Sequence, residues 1–184
     1  MEKDYNKALK KIILQEKWLI DILRSVRELD LPDWYLAAGV IRNTVWDVLS
    51  GYEQRHPLND IDVVYFDARK KINDKAVEKR LHALHPSQTF EVVNQAFIHE
   101  YYPAKKGIQS ACMGIASFIE VPTCVGVRLE KDDSLTICAP YGLKDLFTFH
   151  VGPSSQQAEA LADYKERMKM KKWKKLWPRL RIDS

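Results

Sequence analysis

The sequence predicts a mixed α/β (α+β) fold, a short mixed twisted sheet flanked by helices, and three observations carry that prediction. Short apolar runs at 34–38, 60–66 and 89–94 are separated by stretches whose apolar residues recur at three-to-four spacing. Breakers and caps mark the junctions, as at Leu31-Pro32-Asp33, Asn73 and His85-Pro86. Two aspartates, Asp60 and Asp62, interrupt Asn59-Asp-Ile-Asp-Val-Val-Tyr-Phe66, which otherwise reads as a buried strand. Burying unpaired acids is costly, so their presence there asks for a reason.

Taken in order, 4–29 reads as one amphipathic helix, with Ile12, Leu19, Ile22, Leu23, Val26 and Leu29 on one face. Strand 34–38, helix 40–50, a loop at 55–59 containing His56-Pro57, and strand 60–66 follow. Helix 73–84 starts at the capping Asn73 and stops before His85-Pro86, returning the chain to strand 89–94. The segment 96–102 reads as a short helix; its His99 and Glu100 are helix neighbours that do not face one another, and they are taken as structural. A helix at 109–118 precedes a hairpin of strands 123–129 and 135–138 around Lys131-Asp132-Asp133-Ser134. Residues 142–147 form a helical turn, whose Asp145 is expected to orient Arg42 or Arg128, and a basic helix spans about 157–178.

A chain of 184 residues is long enough for one buried core, and no linker divides it, so 1–184 is read as a single domain. No leader and no apolar run long enough to cross a bilayer is seen, and the expected location is the cytoplasm. Cys112, Cys124 and Cys138 are too few and too scattered for a disulfide framework or a zinc knuckle, and each is expected to be a small buried hydrophobe. The net charge of +4 is unevenly placed: 164–181 holds nine Lys or Arg against Glu166 alone. That tail has two readings. It is an amphipathic helix docking Met168, Trp173, Leu176 and Trp177 on the core with its lysines in water, or a basic, aromatic track for single-stranded RNA.

The aspartates suggest chemistry. Side chains two apart on a strand share a face, roughly 6.5–7 Å apart at about 3.3 Å rise per residue, so Asp60 and Asp62 can converge on a cation. Hard divalent cations such as Mg²⁺ or Mn²⁺ take oxygen ligands, and metal pairs clamp the attacking and leaving oxygens of phosphoryl displacements. The alternative is a strand mouth with two solvated acids. Upstream, Leu36-Ala-Ala-Gly39-Val-Ile-Arg42-Asn43 runs from strand through glycine turn to helix. A glycine there lets backbone approach a phosphate, the helix N-terminus suits an anion, and Arg42 offers a bidentate fork. Read singly, Gly39 is an ordinary turn and Arg42 an ion-pair partner. In strand 89–94, Glu91 lies on the face opposite Phe90 and Val92, as a third carboxylate or an exposed strand acid. Arg128 shares a face with Cys124 and Gly126, where it reaches a phosphate if that face lines the cleft and forms a surface salt bridge otherwise.

Together, the Gly-x-x-Arg turn, the helix and Asp-x-Asp on the next strand resemble the polymerase-beta-like nucleotidyltransferases, particularly the head domain of CCA-adding enzymes and poly(A) polymerases. Nearly the whole chain also resembles a family of small stand-alone bacterial nucleotidyltransferase-like proteins, through Gly39–Asn43, Asp60–Asp67, Asn94–His99 and Ala139–Phe147. The resemblance implies a nucleotidyltransferase fold. Gly39, Arg42, Asn43 and Arg128 would bind the nucleotide, and Asp60, Asp62 and Glu91 would hold the metals and carry catalysis. Ala38 departs from it by standing where the family's first glycine is usual, Asn43 replaces an Asp, and Glu91 stands where Asp is commoner. The expected function is transfer of NMP from an NTP to an acceptor hydroxyl, RNA or another molecule; the alternative is an inactive module binding nucleotide or RNA. Nothing after Leu143 reads as the helical domains that grip tRNA, so complete CCA addition is not expected.

Overall fold

A computed structural model describes residues 4–69 and 72–184. The apolar runs become β1 (Tyr35–Ala37), β2 (Ile61–Tyr65) and β3 (Phe90–Asn94), joined at one edge by the hairpin of β4 (Gly126–Leu129) and β5 (Leu135–Cys138). They form one five-stranded sheet of order β3-β2-β1-β4-β5. Within this sheet only β2 and β3 run parallel, and their connection is the helix α4 (Asp74–Leu84), a crossover that parallel neighbours require. Asn73 caps that helix by accepting from the Ala76 amide at 3.2 Å, as its sequence position predicts.

Alternation divides the sheet into two faces. Leu36, Ile61, Val63, Tyr65, Phe90, Val92 and Val127 belong to the larger core, where the helices α1 (Tyr5–Gln15), α2 (Lys17–Arg27) and α3 (Gly39–Leu49) cover them. Tyr35, Ala37, Val64 and Cys138 point the other way, into a smaller cluster completed by Ala111 and Ile115 of α5 (Ala111–Ala116).

Three expectations need correction. The segment 4–29 is two helices, because Glu16 leaves helical geometry (φ −89°, ψ 84°) while its carboxylate accepts from Trp18 Nε1 at 2.8 Å and Arg55 Nη2 at 2.6 Å. Burial alone would raise that carboxyl, yet the hydrogen bonds from Arg55 and Trp18 hold it below the usual range. The helix at 157–178 also divides, into α7 (Ala158–Met170) and α8 (Trp173–Leu176), after α6 (Lys144–Phe147) and β6 (His150–Val151); β7 (Arg181–Ile182) then pairs with β6. The break turns Trp173 and Trp177 edge-on to Trp46, ring centroids 5.6 and 5.1 Å away. The tail therefore docks through Trp173 and Trp177, with Met168 partly buried, while Leu176 stays 38% exposed. Cys112 and Cys138 are not separate buried thiols: α5 lies against β5 with their Cα atoms 5.8 Å apart and the two form a disulfide, whereas Cys124 is free and buried as expected. Among the described residues no helix is long and apolar enough to cross a membrane.

Candidate active site

The β1–α3 turn is where local geometry first departs from the ordinary. Ala38 has φ 57° and ψ −121°, a conformation that glycine adopts freely and alanine only with strain. Its amide donates to Val125 O at 2.9 Å and its carbonyl accepts from the Arg42 amide at 2.9 Å, so both sides of the turn are pinned. No side chain caps the helix that begins at Gly39, which leaves amides at its first turn for an anion. A Cβ on Gly39 would meet nothing nearer than Arg42 Nη2 at 3.8 Å, so the space above the turn is open.

The carboxylates stand beneath that turn. In the sheet register Asp62 lies opposite Ala37 on one side and Glu91 on the other, and strands in register present those side chains to one face. Glu91 is exposed and Asp62 half-buried. Burial, then the charges of Asp60 and Glu91, push the Asp62 carboxyl up to about 7, against the pull of Arg42 and the Gly39 amide. A charged Asp62 is thus held at a cost that a cation would relieve. Among the described residues, no three acidic, His or Cys side chains approach closely enough to enclose an ion by themselves. The donor set is all oxygen and open on one side, which suits Mg²⁺ or Mn²⁺ completed by phosphate oxygens and water.

Arg42 is 5% exposed, and its head group is held by neighbours that no local pattern announces. Its Nη1 donates to Thr123 Oγ1 at 2.7 Å, its Nε and Nη2 donate to Asn43 Oδ1 at 3.1 and 2.8 Å, and its guanidinium lies 4.1 Å from the Trp173 ring centroid. Burial pulls its pKa down to about 10, opposed chiefly by Glu120. Asn43 is accordingly a brace for Arg42. Arg128 lies two residues along β4 from Gly126, the residue level with Asp62 across β1. There it pairs with Glu130 at 2.8 Å and faces Asp33 at 3.9 Å, the salt-bridge reading of that residue. Asp145 orients neither arginine and instead meets His150 Nδ1 at 3.1 Å. His99 and Glu100 lie exposed on a single turn of 3-10 helix.

Two positions escaped sequence reasoning. Asp47, 1% exposed, accepts from the His56 amide at 2.8 Å, from His56 Nδ1 at 2.7 Å and from Trp177 Nε1 at 2.7 Å, tying the loop before Asp60 to the tail. Glu120, fully buried, pairs with Arg167 at 2.5 Å. A buried acid in a helix between Trp46 and Val48 was the available signal for Asp47; nothing local marks Glu120.

A sequence profile of a family described as nucleotidyltransferase matches residues 24–182. The chain belongs to the nucleotidyltransferase family. Among solved structures, this nucleotidyltransferase is similar to a protein whose NMR structure reveals a CCA-adding enzyme head domain. That match has a TM-score of 0.85 at 28% identity and covers 97% of this chain and 95% of the other. CCA-adding enzyme complexes with ATP and with CTP match with TM-scores of 0.58 and 0.59 at 14% and 13% identity. At that identity they show the fold alone, and 96% of the nucleotidyltransferase spans 43% of each of those chains. No curated protein sequence matches.

Proposed function

We propose that this nucleotidyltransferase moves a nucleoside monophosphate from an NTP to an acceptor hydroxyl in the cytoplasm. One observation carries the proposal: Asp62 and Glu91 stand side by side on one sheet face, with Asp60 near enough to raise Asp62, below an uncapped helix start. The acceptor oxygen attacks the α-phosphorus, the bond from that phosphorus to its β-bridging oxygen breaks, and pyrophosphate leaves. Glu91, exposed at the cleft, orients the hydroxyl and takes its proton. Asp60, Asp62 and Glu91 would hold Mg²⁺ or Mn²⁺, which when bound lowers the hydroxyl pKa and offsets charge developing on the phosphoryl oxygens. Gly39 and the first-turn amides of α3 would take phosphate oxygens. Likeness to proteins solved with ATP and CTP supports an NTP as donor.

The test is incubation with each labelled NTP, Mg²⁺ or Mn²⁺ and candidate acceptors, RNA included. Asp62→Asn should abolish labelling and pyrophosphate release while the fold survives, and an unchanged rate in that variant sinks the assignment. A second reading, a binding module without turnover, draws on Ala38, held in a strained conformation that glycine adopts freely. Its signature is salt-sensitive nucleotide or RNA affinity with no metal-dependent pyrophosphate release.

A further inference from the structure

A cleft opens at the far end of α3 from the candidate active site. Gly39 starts that helix and Leu49 finishes it, so about 15 Å of helix, at about 1.5 Å per residue, lies between the two places. Tyr5, Ala8 and Ile12 of α1 line one side of the cleft, and Phe147 and Phe149 line another. Its volume is about 570 Å³, in the range of small-molecule sites, and no residue of the candidate active site lines it. Three of its lining side chains are aromatic. Tyr5 and Phe147 stack with ring centroids 5.0 Å apart, and the Arg179 guanidinium lies 4.3 Å from the centroid of the Phe149 ring. Phe149 holds φ 56°, a conformation that a bulky residue adopts only with strain, and such strain gathers where ligands are clamped.

Charge says what the cleft would take. Lys11 and Arg179 line it and are exposed, whereas Ile12 and Phe149 are buried, so an apolar floor carries a cationic rim. Arg179 is anchored by the Phe149 ring and by donation from Nη1 to Leu49 O at 3.0 Å, which leaves its remaining N–H donors free. Among the described residues neither Lys11 nor Arg179 pairs with an acid. Asp4 is the one acid in the lining, and its carboxylate caps α1 by accepting from the Lys7 amide at 3.0 Å. We propose that this cleft binds a small aromatic carboxylate, its rings against Tyr5, Phe147 and Phe149 and its head group at Arg179 and Lys11. Aromatic walls favour a ring through offset and edge contacts, and an arginine fork suits a carboxylate. The proposal is independent of the transfer reading.

The full chain is titrated calorimetrically with three probes of one body and different heads: 2-naphthoate, 2-naphthalenemethanol and 2-naphthylmethylamine. Naphthoate should bind about tenfold or more tighter than the other two, the usual effect of a hydrogen bond to a charged group. Arg179→Gln should remove that advantage and leave naphthalenemethanol unmoved, while Arg179→Lys recovers part of it. Ala8→Trp, which fills the cleft from α1, should abolish naphthoate binding, with circular dichroism reporting that the fold is kept. If Ala8→Trp does not fold, the two Arg179 variants decide. Equal affinity for the three probes overturns the proposal, as does a wild type that fails to bind naphthoate or an Arg179→Gln variant that binds it as tightly as wild type. A folded Ala8→Trp with undiminished naphthoate affinity also overturns it, because the ligand then sits elsewhere.

Discussion

Asp62 sits under opposed demands, because chemistry needs its carboxylate charged while burial, Asp60 and Glu91 favour the proton. With its pKa raised to about 7 in the fold against an ordinary 3.8, the folded protein keeps a proton that the unfolded chain releases. Metal-free stability should therefore fall as pH rises from about 4 to 7. Asp62→Asn should remove that slope and add on the order of 1–2 kcal/mol at pH 8, read from denaturant melts. Mg²⁺ should stabilise the wild type and leave the variant unmoved; equal shifts in both would count against Asp62 as a metal ligand. Ala38 makes a complementary case. Ala→Gly normally costs about 0.5–1 kcal/mol, but release of strain worth about 1–3 kcal/mol should leave Ala38→Gly neutral or stabilising by up to about 2.5 kcal/mol. A melting point clearly below wild type would show that Ala38 is unstrained.

At the scale of elements, β7 is held against β6 by backbone pairing and by His150, whose ring nitrogens meet Asp183 at 2.9 Å and Asp145 at 3.1 Å. Those hydrogen bonds, to Asp183 first, raise the imidazole above its ordinary 6.5. The contribution is complete below about 6.5 and is lost as pH climbs through the raised value, so amide exchange at 181–183 should accelerate there. His150→Gln should flatten that dependence, and persistence of it would assign the tail's pH response elsewhere. The bond from Asp47 to the tail is stronger, being buried and shared by three donors. Asp47→Ala should cost about 3 kcal/mol by stranding His56 and Trp177 donors, measured by urea unfolding. Elements also show what local pattern could and could not reveal. Asn73 and the alternation Phe90-Glu91-Val92 act through near neighbours, so the cap of α4 and the face of Glu91 were readable. The break at Glu16 depends on Arg55, and the break after Met170 on Trp46, and such distant partners leave no trace in a window of ten residues.

For the molecule as a whole, the order of elements and the mixed sheet were legible because strands and helices differ in apolar period, and Gly39, Asp60 and Asp62 were legible because they break it. Arg42 shows the limit. Its place at the start of α3 follows from sequence, but Thr123 and Trp173, which fix its head group, come from the 3-10 turn before β4 and from the tail, segments that only tertiary packing brings near. The Cys112–Cys138 bond was missed for the same reason, since it depends on α5 lying against β5.

The hydrogen bond from Trp177 to Asp47 spans 130 positions of chain. Closing so long a loop is slow relative to helix formation, so the final turn of the tail should settle after the sheet is built. Competence to bind nucleotide would then be acquired as a late step in refolding, following compaction instead of accompanying it. A stopped-flow experiment that tracks tryptophan emission alongside capture of a fluorescent NTP would resolve the two events in time.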